Sequence, residues 1–489
     1  MQRRRPLTRL AAGARSLADS RAADGLLIGL AIIASAAVSL HALGAKSIHG
    51  DEAVSIETVL LPLRRFAEVV ISDEPFNGLY YLLLRGWTGV WGVGEAALRS
   101  MSAILVAAAI PPLYLVGHWL DGRRGGLIVA GLAVSNAFVI HYSQDGRAYG
   151  LAYFLVAASC ALVIRAVQRP SGWAWTAYAA VAILAAFAHF FAVFVLAAQL
   201  GWALLALGAR RIPWPAVGAI LVALAPLAVA IAQGPERRWI ADAQVPAPEL
   251  VLTVAGAWVE PTLSVPLAVL MGAGLVLAAI AVWSVARAGV PLAAKPELML
   301  VAGLVVPLAG SLAISIVKPI VVSRYLIVVE PPMLLLLAVG LARARPQVLG
   351  SVLAGLTMAF GLLQVDAWYR ADSNLDFRGA AQRILARSAA GDGVLILPPA
   401  TFQTKALGYY LDRLPATGAR PALERVEGVQ DAEGRVQQLR AAHERVWLVL
   451  SSPEDEAAPA IQDWVAAFDG EFARSSADRL GSLEVLLYS

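Results

Sequence analysis

Asp51 and Glu52 stand side by side in HGDEAVSIE (residues 49–57). They follow directly on about 20 apolar residues, the length that crosses a bilayer. A carboxylate at the mouth of such a helix stays ionised at little cost, and an ionised carboxylate can take a proton from a hydroxyl. His49 and Glu57 flank the pair. Three further segments carry polar residues of the complementary kind. SDEPFNGLYYLL (72–83) supplies Asp73, Glu74, Asn77 and Tyr80. HYSQDGRAYG (141–150) supplies Asp145 and Arg147, while RRWIAD (237–242) and KPIVVSRYL (318–326) supply Arg237, Arg238, Lys318, Arg324 and Tyr325. Acids beside cations, floored by apolar helices, make a place to bring a hydroxyl against a lipid phosphate. Each group also has a plainer reading. Asp51 precedes EAVSIETVLLPLRRF, whose period is helical, so it is also an N-terminal cap. Arg324 near a helix end can snorkel to headgroups, and Arg147 can pair with Asp145. His189 beside FFAVF reads as a packed residue, and Tyr80, Tyr81, Trp87 and Trp91 as an interfacial belt.

These residues need a membrane scaffold, and the composition supplies one. Of 489 residues, 59% are hydrophobic and 15% charged, and the mean hydropathy is +0.67. Soluble domains carry about 25% charged residues. The apolar runs are rich in Ala, Leu, Val and Gly and do not alternate, which predicts helices and excludes a transmembrane barrel. Spans are expected near 25–44, 97–118, 126–142, 148–168, 173–188, 190–208, 216–233, 265–286, 298–317, 320–341 and 347–365. The apolar stretch 75–92 holds Arg85, aromatics and glycines and predicts an interfacial helix. If residues 1–24, basic and without a convincing cleavage site, are cytoplasmic, the inner loops are 121–126, 168–172, 209–213, 286–297 and 342–347. Each carries Arg or Lys, as the positive-inside rule requires. The first outer loop is then 45–96 and another is 234–264, whose length and Pro content suit a mobile lid. The polar clusters fall on the outer side.

Beyond 365 the charges return. Residues 378–390 have helical period, whereas 391–399, 445–452 and 483–489 read as strands. The expected architecture is an all-α polytopic membrane domain of about 11 helices (25–365) followed by a small α/β extracytoplasmic domain (366–489). Cys160 is the single cysteine, so no intrachain disulfide forms. The scattered basic residues form no stripe for nucleic acid, and no Gly-rich nucleotide loop is present. No HxxxH or Cys partner points to zinc. The residues suit either a metal-free site or Mg²⁺ or Mn²⁺ held by Asp51, Glu52 or Asp145 with a lipid phosphate.

The order HGDEA, DEPFNGLYYLLLRGW…GEAALRSMSAI, YSQDGRAYGL and SRYLIVVEPPMLLLL resembles the GT-C class of integral-membrane glycosyltransferases. It is similar in particular to family 39, protein-mannosyltransferase-like, in its bacterial lipopolysaccharide-sugar-transferase-like branch. The resemblance covers roughly 25–345, and 376–399 looks like the tail of bacterial members. It implies transfer of a sugar from a polyprenyl-phosphate donor to an acceptor hydroxyl on the outer face, with inversion. It implies Asp51 as general base with Glu52 beside it, and Asp145 as a second acid of the site. Arg147, Arg324 and Tyr325, with Lys318, Arg237 and Arg238 behind them, are the expected partners of the donor phosphate. His49, Glu74, Asn77 and Tyr80 are expected near the acceptor and sugar. Mannose is the sugar the resemblance implies, with arabinose, glucose, galacturonate and an amino-arabinose as alternatives. The acceptor is a glycan, a lipid or a protein hydroxyl. High Ala, Gly and Arg usage fits a bacterial inner membrane with a periplasmic outer face. The competing class is a polytopic transporter or flippase for a lipid-linked sugar. Such a protein would gather its charges at the bilayer midplane.

Overall fold

The computed structural model describes residues 5–233, 261–287, 291, 293, 295–316, 320–371, 375–398, 401–426, 431–451 and 459–489. The chain divides into two compact units. The first comprises Met1–His41, Leu63–Val90 and Arg99–Arg370, and the second Ala42–Pro62, Trp91–Leu98 and Ala371–Ser489.

The first unit is helical. Among the described residues seven segments are long and apolar enough to cross a membrane: Ala22–Leu40, Glu95–Ser135, Tyr149–Gln168, Thr262–Ser284, Pro296–Ser315, Ser323–Arg343 and Gln347–Arg370. Gly172–Ala188, Ala192–Leu207 and Trp214–Ala230 are shorter apolar helices. Several of these helices leave much of their apolar surface uncovered by protein. Ile33 is 65% exposed, Val222 75% and Val269 64%. Such a quantity of bare apolar surface is stable only in lipid.

In chain order the helices used below are α1 (Arg5–Leu40), α2 (Gly50–Leu60), α3 (Leu63–Glu68), α4 (Gly78–Trp91), α5 (Glu95–Ala108), α6 (Ile110–Ser135), α7 (Ala137–Ser143), α8 (Tyr149–Gln168), α9 (Gly172–Ala188), α10 (Ala192–Leu207), α11 (Trp214–Gln233), α12 (Pro261–Arg287), α13 (Pro296–Ser315), α14 (Glu330–Arg343) and α15 (Gln347–Arg370). The helix α14 is the centre of the unit. Twelve consecutive residues from Pro331 to Ala342 are buried, against α6, α8, α12, α13 and α15.

Breaks in the helices have local causes. Within α6 the chain turns at Asp121 and Gly122, and Gly122 takes φ +64°, which glycine adopts without strain. This break coincides with the expected loop 121–126. The expected span 126–142 is instead divided at Asn136, whose side chain accepts from Val139 N at 3.0 Å and starts α7. The expected span 320–341 is also divided. Ser323–Val329 is a tighter 3₁₀ turn, and the α-helix starts at Glu330, because Pro331 and Pro332 lack the N–H groups that a preceding turn would bond. The first span ends at Leu40 rather than 44, in a turn where Ala42 has φ +55°.

The second unit carries a five-stranded sheet, β1 (Gly393–Leu397), β2 (Ala422–Leu423), β3 (Val446–Ser451), β4 (Arg474–Leu480) and β5 (Leu483–Tyr488), in the order β2-β1-β3-β5-β4. β1 is parallel to β2 and β3, whereas β3–β5 and β5–β4 are antiparallel. Every residue of β1 and β3 is buried, as expected of continuous apolar runs covered on both faces. Leu395, Leu448, Trp464, Phe468 and Tyr488 form the core on one side. This unit takes in α2 and part of the expected first outer loop in addition to the residues beyond 370.

Candidate functional site

In the first unit the turn between α7 and α8 presents Asp145 and Arg147. Gly150 lets this turn approach α5, since a Cβ there would lie 2.6 Å from the Ser102 carbonyl oxygen. Ser102 Oγ then donates to Arg147 O at 3.0 Å. On the other side, Gln144 Nε2 donates to His41 O at 2.7 Å, and Trp368 Nε1 donates to Gln144 Oε1 at 3.1 Å. These bonds tie the Arg147 backbone and the Gln144 side chain to neighbouring segments. From the turn the Arg147 guanidinium reaches α4, donating from Nη1 to the Tyr81 hydroxyl at 3.2 Å. That hydroxyl donates to Glu74 Oε2 at 2.9 Å, which also accepts from Asn77 Nδ2 at 3.0 Å. Burial, opposed by Arg147 and assisted by Glu74, pushes the Tyr81 phenol up to about 12. The phenol therefore keeps its proton near neutrality.

Arg324 and Tyr325 stand in the 3₁₀ turn before α14, where Tyr325 N donates to Val322 O at 2.9 Å. The Tyr325 ring is 5.1 Å from His189, 5.3 Å from Phe190 and 5.3 Å from Phe191, centroid to centroid. His189 occupies the turn between α9 and α10 and accepts at Nδ1 from Phe191 N at 3.3 Å. Burial first, then the charges of Arg147 and Arg324, lower its imidazole to about 3. His189 is thus neutral, and both guanidiniums act on it. The Tyr142 hydroxyl lies within electrostatic reach of Arg324 and Asp145. Tyr142 stacks edge-on to Tyr149 at 4.9 Å, and Tyr149 lies 6.0 Å from His189.

Of the residues singled out in the sequence, Glu74, Asn77 and Arg147 therefore share one bonded chain. Arg147 and Arg324 both act electrostatically on His189, which packs against Tyr325, and Arg324 and Asp145 both act on the Tyr142 hydroxyl. Tyr80 is only 1% exposed and packs 5.9 Å from Tyr81. Trp91 is 63% exposed, whereas Tyr80 and Tyr81 are buried rather than turned outward as an interfacial belt would have them. Both tyrosines lie on α4, a helix of 14 residues. Sequence reasoning missed the link made by the Tyr81 hydroxyl. It also missed the buried carboxyl of Glu330, which accepts from Asn136 Nδ2 at 3.0 Å. An ionisable residue inside an apolar run was the available signal.

The acidic pair lies in the second unit, on the first turn of α2. Gly50 allows that turn to abut Phe402, because a Cβ on Gly50 would lie 2.5 Å from the Phe402 Cβ. Ile48 N donates to the Tyr410 hydroxyl at 2.8 Å, and Lys405 Nζ pairs with Glu57 at 2.6 Å. Glu52 is fully buried and its Oε2 accepts from His49 N at 3.2 Å, so it closes one half of a capping box. Asp51 is partly buried in the same turn, where exposed backbone N–H groups favour negative charge. The capping reading thus applies to Glu52. Of the carboxylates weighed as Mg²⁺ or Mn²⁺ ligands, Asp51 and Glu52 belong to the second unit and Asp145 to the first. Lys318, Arg237 and Arg238, and most of the expected lid 234–264, lie outside the described residues.

No family model matches the chain. A glycerol-3-phosphate acyltransferase from Hyphomonas neptunium (strain ATCC 15444) is 34% identical over 74 residues, 15% of this chain and 32% of that protein. The chain thus spans about a third of the length of that curated relative. Two solved structures match over nearly the whole chain. ArnT from Cupriavidus metallidurans in the apo state is similar with a TM-score of 0.59 at 12% identity, covering 96% of this chain and 98% of that one. ArnT from the same organism bound to undecaprenyl phosphate gives 0.57 at 12% identity, covering 94% and 97%. At such low identity the likeness bears on architecture: this chain has an ArnT-like GT-C fold of apolar helices with a small C-terminal sheet domain.

Proposed function

We propose that this protein is a membrane glycosyltransferase that moves a sugar from a polyprenyl-phosphate donor to an acceptor hydroxyl on the extracytoplasmic face. The observation that carries this reading is that Arg147 and Arg324 both act on the buried, uncharged His189, whose ring packs 5.1 Å from Tyr325. Guanidinium geometry suits phosphate. The ArnT structure that holds undecaprenyl phosphate supports the same ligand class for this fold.

In this reading the donor phosphate lies on Arg147 and Arg324 with the Tyr325 hydroxyl beside it. Glu74 and Asn77 hold Tyr81, and Tyr81 holds Arg147. Asp51 takes the proton from the acceptor hydroxyl as its oxygen attacks the anomeric carbon. The carbon–oxygen bond to phosphate breaks with its electron pair, polyprenyl phosphate leaves, and the configuration inverts. Electrostatic partners for a leaving phosphate are worth several kcal/mol in a water-poor site. Mannose is the proposed sugar, and the acceptor is a glycan, lipid or protein hydroxyl. In the same reading the protein sits in the inner membrane with its N-terminus in the cytoplasm and the sheet domain outside; the Arg- and Lys-bearing loops expected on the inner side support this orientation.

The test is release of polyprenyl phosphate from a polyprenyl-phosphate-linked sugar by purified protein. Asp51→Asn is expected to lower turnover by about 10²–10⁴-fold, the contribution of a positioned base, and to leave donor binding intact. Arg324→Ala is expected to weaken donor binding. Turnover by Asp51→Asn within a few-fold of the parent would remove Asp51 from the reaction.

A further inference from the structure

We propose that a second phosphate-binding site, for a phospholipid of the opposite leaflet, lies at the far end of α14 from Tyr325. Helix α14 has 14 residues and rises 1.5 Å per residue, so Arg343 stands about 20 Å from Glu330. There a cavity of about 450 Å³ opens between α12 and α14 and the start of α13. Higher up the two helices touch through glycine. A Cβ on Gly340 would collide with the Gly274 carbonyl oxygen and Ala278 N. Below that contact they part, and Leu277, Ile280 and Ala281 form an apolar wall. Ile280 is 58% exposed, so the wall continues onto the lipid-facing surface.

The polar lining is Lys295, Glu297, Arg343, Arg345 and Ser284. The charges on its floor are spoken for. Arg343 Nε bonds Asp121 Oδ1 at 2.6 Å, and its Nη2 bonds Glu297 Oε1 at 2.7 Å. One guanidinium thus serves two carboxylates, and each carboxylate keeps a second buried oxygen with no hydrogen-bond partner. Such a floor repels an anion. Lys295 and Arg345, by contrast, make no ion pair among the described residues, and Arg345 is exposed. A ligand that fits carries its negative charge at this rim and its apolar part along Leu277 and Ile280. That is a phospholipid, with its phosphodiester on Lys295 and Arg345 and an acyl chain on the wall. Basic pockets between membrane helices on the cytoplasmic side recognise lipid headgroups in this way. The positive-inside rule places this end of the bundle there.

Full-length protein in mild detergent, titrated with phosphatidylglycerol and read by native mass spectrometry, tests the site. A basic side chain near a membrane surface contributes about 1 kcal/mol, or roughly fivefold in affinity. Lys295→Ala and Arg345→Ala are each expected to weaken phosphatidylglycerol binding about fivefold, and the double variant about 25-fold. The charge-conserving double variant Lys295→Arg/Arg345→Lys should bind within about twofold of the parent. Undecaprenyl phosphate binding should be unchanged in all of them, which separates this site from the proposed donor site. Three results would overturn the proposal. The first is a double alanine variant that keeps its affinity. The second is diacylglycerol binding as tightly as phosphatidylglycerol, which would leave only an apolar groove. The third is displacement of phosphatidylglycerol by millimolar inorganic phosphate, which would make the ligand a free anion.

Discussion

Removing one oxygen atom, in Tyr81→Phe, tests the proposed donor site without disturbing its packing. Tyr81 is fully buried, and the phenylalanine ring fills the same space. The change deletes the acceptor for Arg147 Nη1 at 3.2 Å and the donor to Glu74 Oε2 at 2.9 Å. Glu74 keeps Asn77 Nδ2 at 3.0 Å, so the carboxylate is still held. The guanidinium loses the bond that aims it away from the backbone turn. A hydrogen bond to a charged group is worth about 1.5–3 kcal/mol. If half of that is lost in aligning Arg147 with a phosphate, donor affinity falls roughly three- to tenfold. The effect should appear in KM for the donor with kcat nearly unchanged, because the interaction positions the ligand before and during the reaction alike. Since the phenol stays protonated up to about 12, the ratio of parent to variant should be flat from pH 6 to pH 9. Steady-state release of polyprenyl phosphate and direct donor binding give the two numbers. The reasoning is refuted if donor affinity stays within a factor of two while the melting temperature drops, for then Tyr81 only supports the helix.

Other outcomes follow from the ion pairs. Arg343→Leu strands the carboxylates of Asp121 and Glu297 in a buried setting, which costs about 3–5 kcal/mol. Thermal melts in detergent should show the loss, and adding Asp121→Asn with Glu297→Gln should restore most of it. In the second unit burial would raise Asp392, but Arg445, the Ala389 N–H and the Trp447 indole outweigh it and lower the carboxyl. Carboxyls lowered by folding stabilise the unit above their unfolded range, about pH 4, and that contribution fades as pH falls through the folded values. Intrinsic tryptophan fluorescence across pH 7 to 3 should therefore report loosening around Trp447 below about pH 4. Asp392→Asn should flatten the profile.

The membrane architecture was legible because hydropathy needs no tertiary information. Loop charges were legible as a pattern but not as partners. DGRR, KPE and ARARPQ read as basic inner loops, yet Arg343 pairs with Asp121 across 222 positions and with Glu297 across 46. β1, β3 and β5 announced themselves as apolar runs. β4, with sequence RSSADRL, is an exposed edge strand whose polar residues give no strand signal, and β2 has only two residues. At the candidate site the charged residues could be listed from sequence. The Tyr81 hydroxyl could not, because a phenol in GLYYLLL looks the same whether it meets lipid or a guanidinium.

The turn that bears Asp51 is held by residues made much later. Ile48 waits for the Tyr410 hydroxyl 362 positions on, and Glu57 waits for Lys405. During synthesis the opening helices can enter the bilayer long before that turn has anything to fold against. A ribosome that stalls near residue 370, or a protease that trims the sheet unit, would leave a correctly inserted bundle whose Asp51 turn lacks its supports. The Asp51 turn therefore gains these supports only once synthesis has passed residue 410.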